Sequence, residues 1–172
     1  MFNKSILLVV LYFLFMGCSV KGLSSLERDN KIQSLRKMLI LLDTTVNPEE
    51  AFDLAKNSIL YSEKLGKRYE VVSPPLWQNT LVNVGFKKRG LCYHWANDLK
   101  IFLKQRAYKS LVFYEVVARQ GEYFEHNALA VSSLKAKGIN NAILLDAWRN
   151  SGMLFFIKID EDKKYSWKKR LK

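Results

Sequence analysis

Residues 88–95 read Lys-Arg-Gly-Leu-Cys-Tyr-His-Trp, and they mark the start of a helix. Gly90 tolerates backbone angles that other residues avoid, so it can end the preceding segment. Apolar residues then follow at largely helical spacing. The pattern therefore predicts a helix whose first turn contains Cys92.

Cys92 can be interpreted in two ways from this segment. A cysteine in the first turn of a helix meets unpaired backbone N–H groups and the positive end of the helix dipole. Both stabilise the thiolate, which is the nucleophilic form of the side chain. The alternative is a small buried apolar residue, which is the usual fate of a lone cysteine.

Two downstream segments favour the reactive interpretation. Residues 125–131 and 142–149 are predicted to be strands, and they carry His126 and Asp146. A cysteine nucleophile needs a base, and the base needs a third group that fixes its orientation. A helix start followed by two neighbouring strands would bring Cys92 together with these two residues.

The chain resembles the transglutaminase-like branch of the papain-like cysteine enzymes. The matching features are Gly-Leu-Cys-Tyr at 90–93 opening a helix, His126 on a strand, and Leu-Leu-Asp-Ala-Trp at 144–148 ending the next strand. The resemblance covers roughly residues 90–159. It implies that the cysteine is the nucleophile, His126 the general base and later acid, and Asp146 the orienting carboxylate.

The resemblance also implies an α+β fold with a papain-like core. Residues 111–117 and 153–159 are predicted to be further strands, which gives a mostly antiparallel sheet packed against the helix of Cys92. Two helices are expected before that helix. The first covers residues 24–42, and the second begins at Asn47 and Pro48 and stops at Gly66.

An oxyanion formed on the substrate would need hydrogen-bond donors. The backbone N–H of Cys92 is one, and relatives use a side chain upstream of the nucleophile. Trp77, Gln78 and Asn79 could each supply it, and we name Gln78. The alternative is that these side chains only cap a turn or pack under a loop.

The first residues indicate export. Lys4 precedes an apolar run over residues 5–16, which is too short to span a membrane. Residues 15–19, Phe-Met-Gly-Cys-Ser, resemble a bacterial lipoprotein lipobox. The resemblance implies a signal peptide over residues 1–17 and lipidation of Cys18, and Ser19 after the cysteine implies sorting to the outer membrane. An ordinary secretory signal or an uncleaved anchor is the alternative.

Composition favours one domain over residues 18–172, with a short tether over residues 19–25. The hydrophobic content of 49% argues against disorder. The chain has two cysteines, so lipidation of Cys18 leaves only Cys92. Exported proteins usually keep their cysteines in pairs, and a leftover thiol with His126 and Asp146 downstream is therefore interpreted as reactive.

The charge of +12 is concentrated in part in the tail, where residues 163–172 hold six lysines and arginines. This basic tail could bind anionic lipid headgroups or other envelope polyanions, or it could simply be solvated. Nucleic acid binding does not suit an envelope location. Neither metal-ligand spacing nor a glycine-rich phosphate loop occurs, so no metal and no cofactor are expected.

Together these features predict a membrane-anchored envelope hydrolase, a peptidase or amidase that acts through an acyl-enzyme. Its expected substrates are proteins or peptides, with peptidoglycan peptides among the candidates. Two alternatives remain open. One is a transglutaminase, in which a second amine resolves the acyl-enzyme. The other is a non-catalytic lipoprotein that uses the same fold as a binding or scaffolding module. The oligomeric state is not specified by the sequence.

Overall fold

The structure, a computed structural model, describes residues 22–136 and 138–171. Within these ranges, four α-helices accompany one five-stranded antiparallel sheet, which confirms the α+β class. The helices are α1 (Ser25–Ile40), α2 (Pro48–Arg68), α3 (Pro75–Asn83) and α4 (Cys92–Lys104). The strands are β1 (Leu111–Ala118), β2 (His126–Ser133), β3 (Ile143–Asp146), β4 (Phe155–Lys158) and β5 (Lys168–Lys169).

The predicted leader over residues 1–17, the lipidation site Cys18 and the first residues of the tether lie outside the described residues. Among the described helices, none combines the length and the apolar character that a membrane crossing requires.

The first two helices begin where the sequence predicts, because both start at residues that cap the backbone. Ser24 and Glu27 form a reciprocal capping box at the start of α1. The Asn47 side chain accepts hydrogen bonds from the N–H groups of Glu49 and Glu50 at 2.8 and 3.2 Å. These contacts satisfy donors that the first turn of a helix otherwise leaves unpaired.

Gly66 does not end α2, and the prediction that it does is wrong. The helix continues to Arg68, and Gly66 is buried within it. The turn at Ser151 and Gly152 packs directly on this point, and a Cβ at Gly152 would lie only 3.2 Å from the Cα of Gly66. The glycine in α2 therefore permits a close approach between helix and turn.

Three helices, and not two, precede the helix of Cys92. The additional helix α3 begins at Pro75, where the missing N–H of proline costs nothing in the first turn. Only Gln78 of this nine-residue helix is buried. It therefore has no apolar stripe of the kind by which a helix is recognised in a sequence.

The sheet has the strand order β4-β3-β2-β1-β5, and every pairing is antiparallel. All eight residues of the central strand β2 are buried, so both of its sides are covered. On one side, Leu129 and Val131 pack in the main core with the helices. On the other side, Ala128 and Ala130 belong to a second, smaller apolar cluster.

The alternation of side chains along the strands places the polar residues of interest. His126 lies two residues before Ala128 and so points to the side of the second cluster. Asp146 lies two residues after Leu144, which is a member of the same cluster and faces Ala130 across the β2–β3 ladder. His126 and Asp146 are thus diagonal neighbours on one side of the sheet.

Residues 162–170 cross this side of the sheet and are called the C-terminal strap below. Trp167 packs against the second apolar cluster. Lys168 and Lys169 form β5, which pairs with Val117 and Val116 of β1. The part of the chain that the sequence suggested could be a solvated tail is therefore attached to the sheet.

Candidate active site

Cys92 is the first residue of α4, as predicted, and its side chain is 8% exposed. The preceding Gly90 has a φ of 132°, a conformation that side chains rarely adopt. A Cβ at this position would also lie 2.6 Å from the side chain of Gln78. Both observations explain why a glycine lies two residues before the cysteine.

Two aromatic side chains of α4 hold this turn in place. His94 accepts hydrogen bonds at Nδ1 from the N–H groups of Gly90 and Leu91, at 3.2 and 3.3 Å. Trp95 donates from its indole nitrogen to the carbonyl of Gly90 at 2.8 Å. His94 therefore supports the turn that carries Cys92.

His126 and Asp146 form a direct hydrogen bond. Nε2 of His126 lies 2.7 Å from Oδ2 of Asp146, and the two side chains are 4% and 1% exposed. The carboxylate accepts a hydrogen bond from the N–H at Nε2, and this bond fixes the orientation of the ring. Nδ1 is then the nitrogen left to interact with Cys92.

The Cys92 thiol and the His126 ring shift each other's ionisation. Burial raises the pKa of the thiol, but the hydrogen bond and charge of His126 outweigh it, and the pKa of Cys92 lies below its ordinary value. Burial lowers the pKa of His126, yet Asp146 and Cys92 together raise it to about 9. This combination favours a thiolate beside an imidazolium at neutral pH.

The sulfur of Cys92 has two further polar neighbours at the start of β2. It lies 3.8 Å from the carbonyl oxygen of Glu125 and 3.9 Å from Nδ2 of Asn127. Arg170 of the strap donates to Oδ1 of Asn127 at 2.5 Å, so the amide presents its nitrogen to the sulfur. A hydrogen bond donated by Asn127 stabilises the thiolate. Sequence reasoning missed Asn127 because adjacent residues of a strand usually face opposite sides, so the residue after His126 was not expected to reach the same sulfur.

Glu125 is neutralised within the same group of contacts. The hydrogen bond from Arg170, at 2.6 Å, is the main cause that lowers the pKa of Glu125 to about 2. The carboxylate also accepts from the side chain of Asn127 at 3.0 Å. The charge of Glu125 is therefore balanced by the strap.

Arg149, three residues after Asp146, lines the edge of the cleft beside Cys92 and joins two acidic side chains. Its side chain is 9% exposed and lies between two carboxylates. Nε donates to Oδ2 of Asp146 at 3.0 Å, and Nη2 donates to Oδ2 of Asp162 at 2.7 Å. Burial raises the pKa of Asp146, but His126 and Arg149 outweigh it and keep the carboxyl below its ordinary value.

Three aromatic rings surround the His126 imidazole. The ring centroids of Trp148, Tyr165 and Trp167 lie 4.7, 4.8 and 5.3 Å from that of His126. The last two belong to the strap, and Trp167 also donates to Asp162 at 2.9 Å. Aromatic faces attract a cation and exclude water, so they suit an imidazolium.

A cleft of about 330 Å³ opens beside the thiol. That volume is in the range of small-molecule sites, about 300–1,000 Å³. Its walls come from the start of α3, the loop before β2, the residues after β3 and the strap. The lining residues include Pro74, Pro75, Leu76, Asn79, Cys92, Arg119, Tyr123, Phe124, His126, Trp148, Lys164 and Tyr165.

Gln78 does not line this cleft, and the oxyanion role predicted for it does not fit its placement. Its amide nitrogen donates to the carbonyls of Arg89 and Tyr69 at 2.9 and 3.5 Å. Its amide oxygen accepts from the N–H of Val72 at 3.0 Å. The side chain is fully buried and supports the turn at Gly90 from below.

The neighbouring Asn79 does line the cleft. Its Oδ1 accepts a hydrogen bond from the indole nitrogen of Trp148 at 3.0 Å. That bond leaves Nδ2 as the free end of the amide, with no partner among the described residues. Asn79 was one of the three upstream candidates for the oxyanion donor. The sequence alone could not distinguish it from its neighbours, because the orientation of α3 decides which of its side chains faces the cleft.

Over residues 22–136 and 138–171, no three His, Cys, Asp or Glu side chains are grouped so that they could hold a metal ion. Comparison of the chain with protein-family models, with curated proteins and with solved structures gave no significant match.

Proposed function

We propose that this chain is a cysteine hydrolase with a papain-like, transglutaminase-like core that cleaves amide bonds through an acyl-enzyme. The observation that carries the proposal is the buried 2.7 Å bond between His126 and Asp146, beside a thiol whose pKa the same histidine lowers. Nucleophile, base and orienting acid are the three components that such chemistry needs.

In this mechanism the Cys92 thiolate attacks the carbonyl carbon of the amide. The C–N bond breaks as the His126 imidazolium gives its proton to the departing amine, and a thioester remains on the sulfur. Water then attacks the thioester while His126 takes a proton from it. The carboxylic acid product leaves, and the thiolate and the imidazolium are restored, while Asp146 holds Nε2 throughout.

The developing oxyanion is bound by two donors in this proposal. One is the backbone N–H of Cys92, which is unpaired in the first turn of α4. The other is Nδ2 of Asn79, which Trp148 orients through its bond to Oδ1. Removing one such donor costs other enzymes about 10²–10³ in rate.

We place the enzyme in a bacterial envelope, anchored by lipid on Cys18 and facing the periplasm. The lipobox-like residues 15–19 support this location. Two or more acyl chains hold a protein stably on a membrane, whereas one does so only marginally. Protein or peptide chains, including peptidoglycan peptides, are the amide substrates within reach there.

The proposal is tested by alkylating Cys92 with iodoacetamide across a range of pH. The Cys18→Ser variant leaves Cys92 as the only cysteine, and Cys92→Ser serves as the blank. Because the pKa of the thiol is lowered, we expect fast labelling well below the free-thiol pKa of about 8.5. His126→Ala removes the group that lowers it, so labelling should then need a pH near or above that value.

Circular dichroism of each variant shows whether the fold is retained. Labelling of the folded Cys18→Ser chain that rises only near pH 8.5, or that requires denaturant, would contradict the proposal. The fold would then serve as a binding or scaffolding module with an inert cysteine.

A further inference from the structure

The cleft beside Cys92 has an excess of positive charge. The three carboxylates around it are all paired with cations. Arg149 lies between Asp146 and Asp162, Asp146 also binds His126, and Glu125 binds Arg170. The remaining charged residues that line it are cations. These are Arg119 and Lys164, and neither forms an ion pair with a described residue.

Both cations are positioned by one aromatic ring. The guanidinium of Arg119 lies 5.9 Å from the ring centroid of Tyr165, and the ammonium of Lys164 lies 5.4 Å from it. Tyr165 in turn lies 4.8 Å from the ring of His126. Two positive charges without ion-pair partners among the described residues therefore line the same cleft as Cys92 and His126.

The cleft also contains exposed apolar surface. Tyr123 and Phe124 line it and are 93% and 59% exposed, and Leu76 of α3 is 57% exposed. Exposed apolar groups beside convergent polar groups are typical of a binding site. A peptide that carries both an anionic group and apolar side chains would match this lining.

We propose that the cleft selects acidic peptides, in which a carboxylate next to the scissile amide is bound by Arg119 and Lys164. This inference rests on the proposed function, since it names the substrate class of the same site. Arginine binds carboxylates through paired N–H donors, and lysine adds a second positive charge without a fixed direction. Neutral and basic peptides would leave both cations unpaired.

The first test compares two alkylating reagents of nearly the same size, anionic iodoacetate and neutral iodoacetamide, on the Cys18→Ser full-length chain. The ratio of the two rates cancels the thiolate fraction and reports the potential at the sulfur. In water, a unit charge at an assumed separation of about 7 Å changes such a ratio by roughly threefold at low salt. At about 1 M salt the Debye length falls to about 3 Å, and the preference should largely disappear.

The variants are Arg119→Gln, Lys164→Gln and the double replacement. We expect the ratio to fall by roughly threefold in each single variant and further in the double variant. Lys56→Gln is the matched control, since Lys56 is exposed on α2 and away from the cleft. It removes the same net charge and should leave the ratio unchanged.

A second test measures protection of Cys92 from iodoacetamide by short peptides. Tetraglutamate is expected to slow labelling at concentrations where tetraglutamine and tetralysine do not, and the double variant should lose this protection. An unchanged reagent ratio in the double variant, or equal protection by all three peptides, would overturn the inference.

Failure of this inference can be told apart from failure of the proposed function. Iodoacetamide labelling that responds only near pH 8.5 contradicts the activated thiolate, whatever the reagent ratio shows. If labelling is fast at low pH but the rate ratio does not change when Arg119 and Lys164 are replaced, the proposed hydrolase is still supported. The preference for acidic peptides is then contradicted.

Discussion

The two sides of strand β2 differ in what covers them. The side of Leu129 and Val131 is packed under helices by aliphatic residues that are almost fully buried. The opposite side begins at His126, continues with two alanines, and is covered by the strap with its aromatic rings and ion pairs. One strand thus borders a large apolar core on one side, and on the other a small apolar cluster with the buried polar pair of His126 and Asp146 at its edge.

The difference teaches that the two sides of the strand have different packing requirements. Aliphatic burial stabilises a protein in proportion to the area removed from water, at about 25 cal/mol per Å². It needs no particular direction. The site of His126 and Asp146 needs directed hydrogen bonds and a dry surrounding, and the strap provides these from a segment distant in sequence.

The largest loss of stability is expected at Arg149, because the buried ion pairs on the His126 side of the sheet also contribute to the free energy of unfolding. Arg149→Ala leaves Asp146 and Asp162 without their common partner in a buried place. Removing one partner of a buried ion pair costs about 3–5 kcal/mol, and urea denaturation should show a loss of this size. Lys158→Ala, which breaks an exposed pair, should cost less than about 1 kcal/mol. Equal effects of the two variants would contradict the account.

A comparable loss is expected on the helical side. Leu99 of α4 is fully buried, so Leu99→Ala should lower the free energy of unfolding by about 2–5 kcal/mol. Ile101 of the same helix is 48% exposed, and Ile101→Ala should change it by only about 0.5 kcal/mol. Urea denaturation of both variants measures these changes. A loss at Leu99 as small as that at Ile101 would contradict the packing of α4 against the main core.

The smallest effect is expected at Asn127, which contributes to the thiolate and little to the core. A hydrogen bond donated to the sulfur favours the thiolate, so Asn127→Ala should raise the pKa of Cys92 and move its labelling to higher pH. The pH profile of iodoacetamide labelling measures this shift. Asn97→Ala, at an exposed position on α4, is the control and should leave the profile in place.

The local patterns in the sequence predicted the elements around Cys92, His126 and Asp146 well. The glycine before Cys92, the strands of His126 and Asp146, and the capping residue Asn47 all act on their immediate neighbours in the chain. Residues that are close in sequence determine helix starts and strand alternation, so these features could be found without a structure.

The features that the sequence did not predict depend on contacts between distant segments. Gly66 lies within a helix because the turn at Gly152 packs against it. The amide nitrogen of Gln78 donates its hydrogen bonds to carbonyls of other segments. The strap looks like a solvated basic tail, because lysines separate Tyr165 and Trp167 from other apolar residues. No local sequence pattern indicates that the rings of Tyr165 and Trp167 pack against His126.

The central claim is that Cys92 and His126 form a thiolate–imidazolium pair, and the protonation of His126 tests it most directly. The chain has only two histidines, so ¹⁵N-histidine labelling and NMR titration resolve both rings. Burial lowers the pKa of His94 below its ordinary value, whereas His126 is raised to about 9. A ring with a raised pKa stays charged at neutral pH and loses its proton only as the pH rises through that value.

We expect one neutral and one charged imidazole at pH 7.5, with the charged ring titrating near pH 9. Cys92→Ser removes the thiolate and should lower the pKa of that ring, although Asp146 still supports its charge. If both rings titrate at or below about 6.5, or if Cys92→Ser changes neither, the pair does not exist and the account is contradicted.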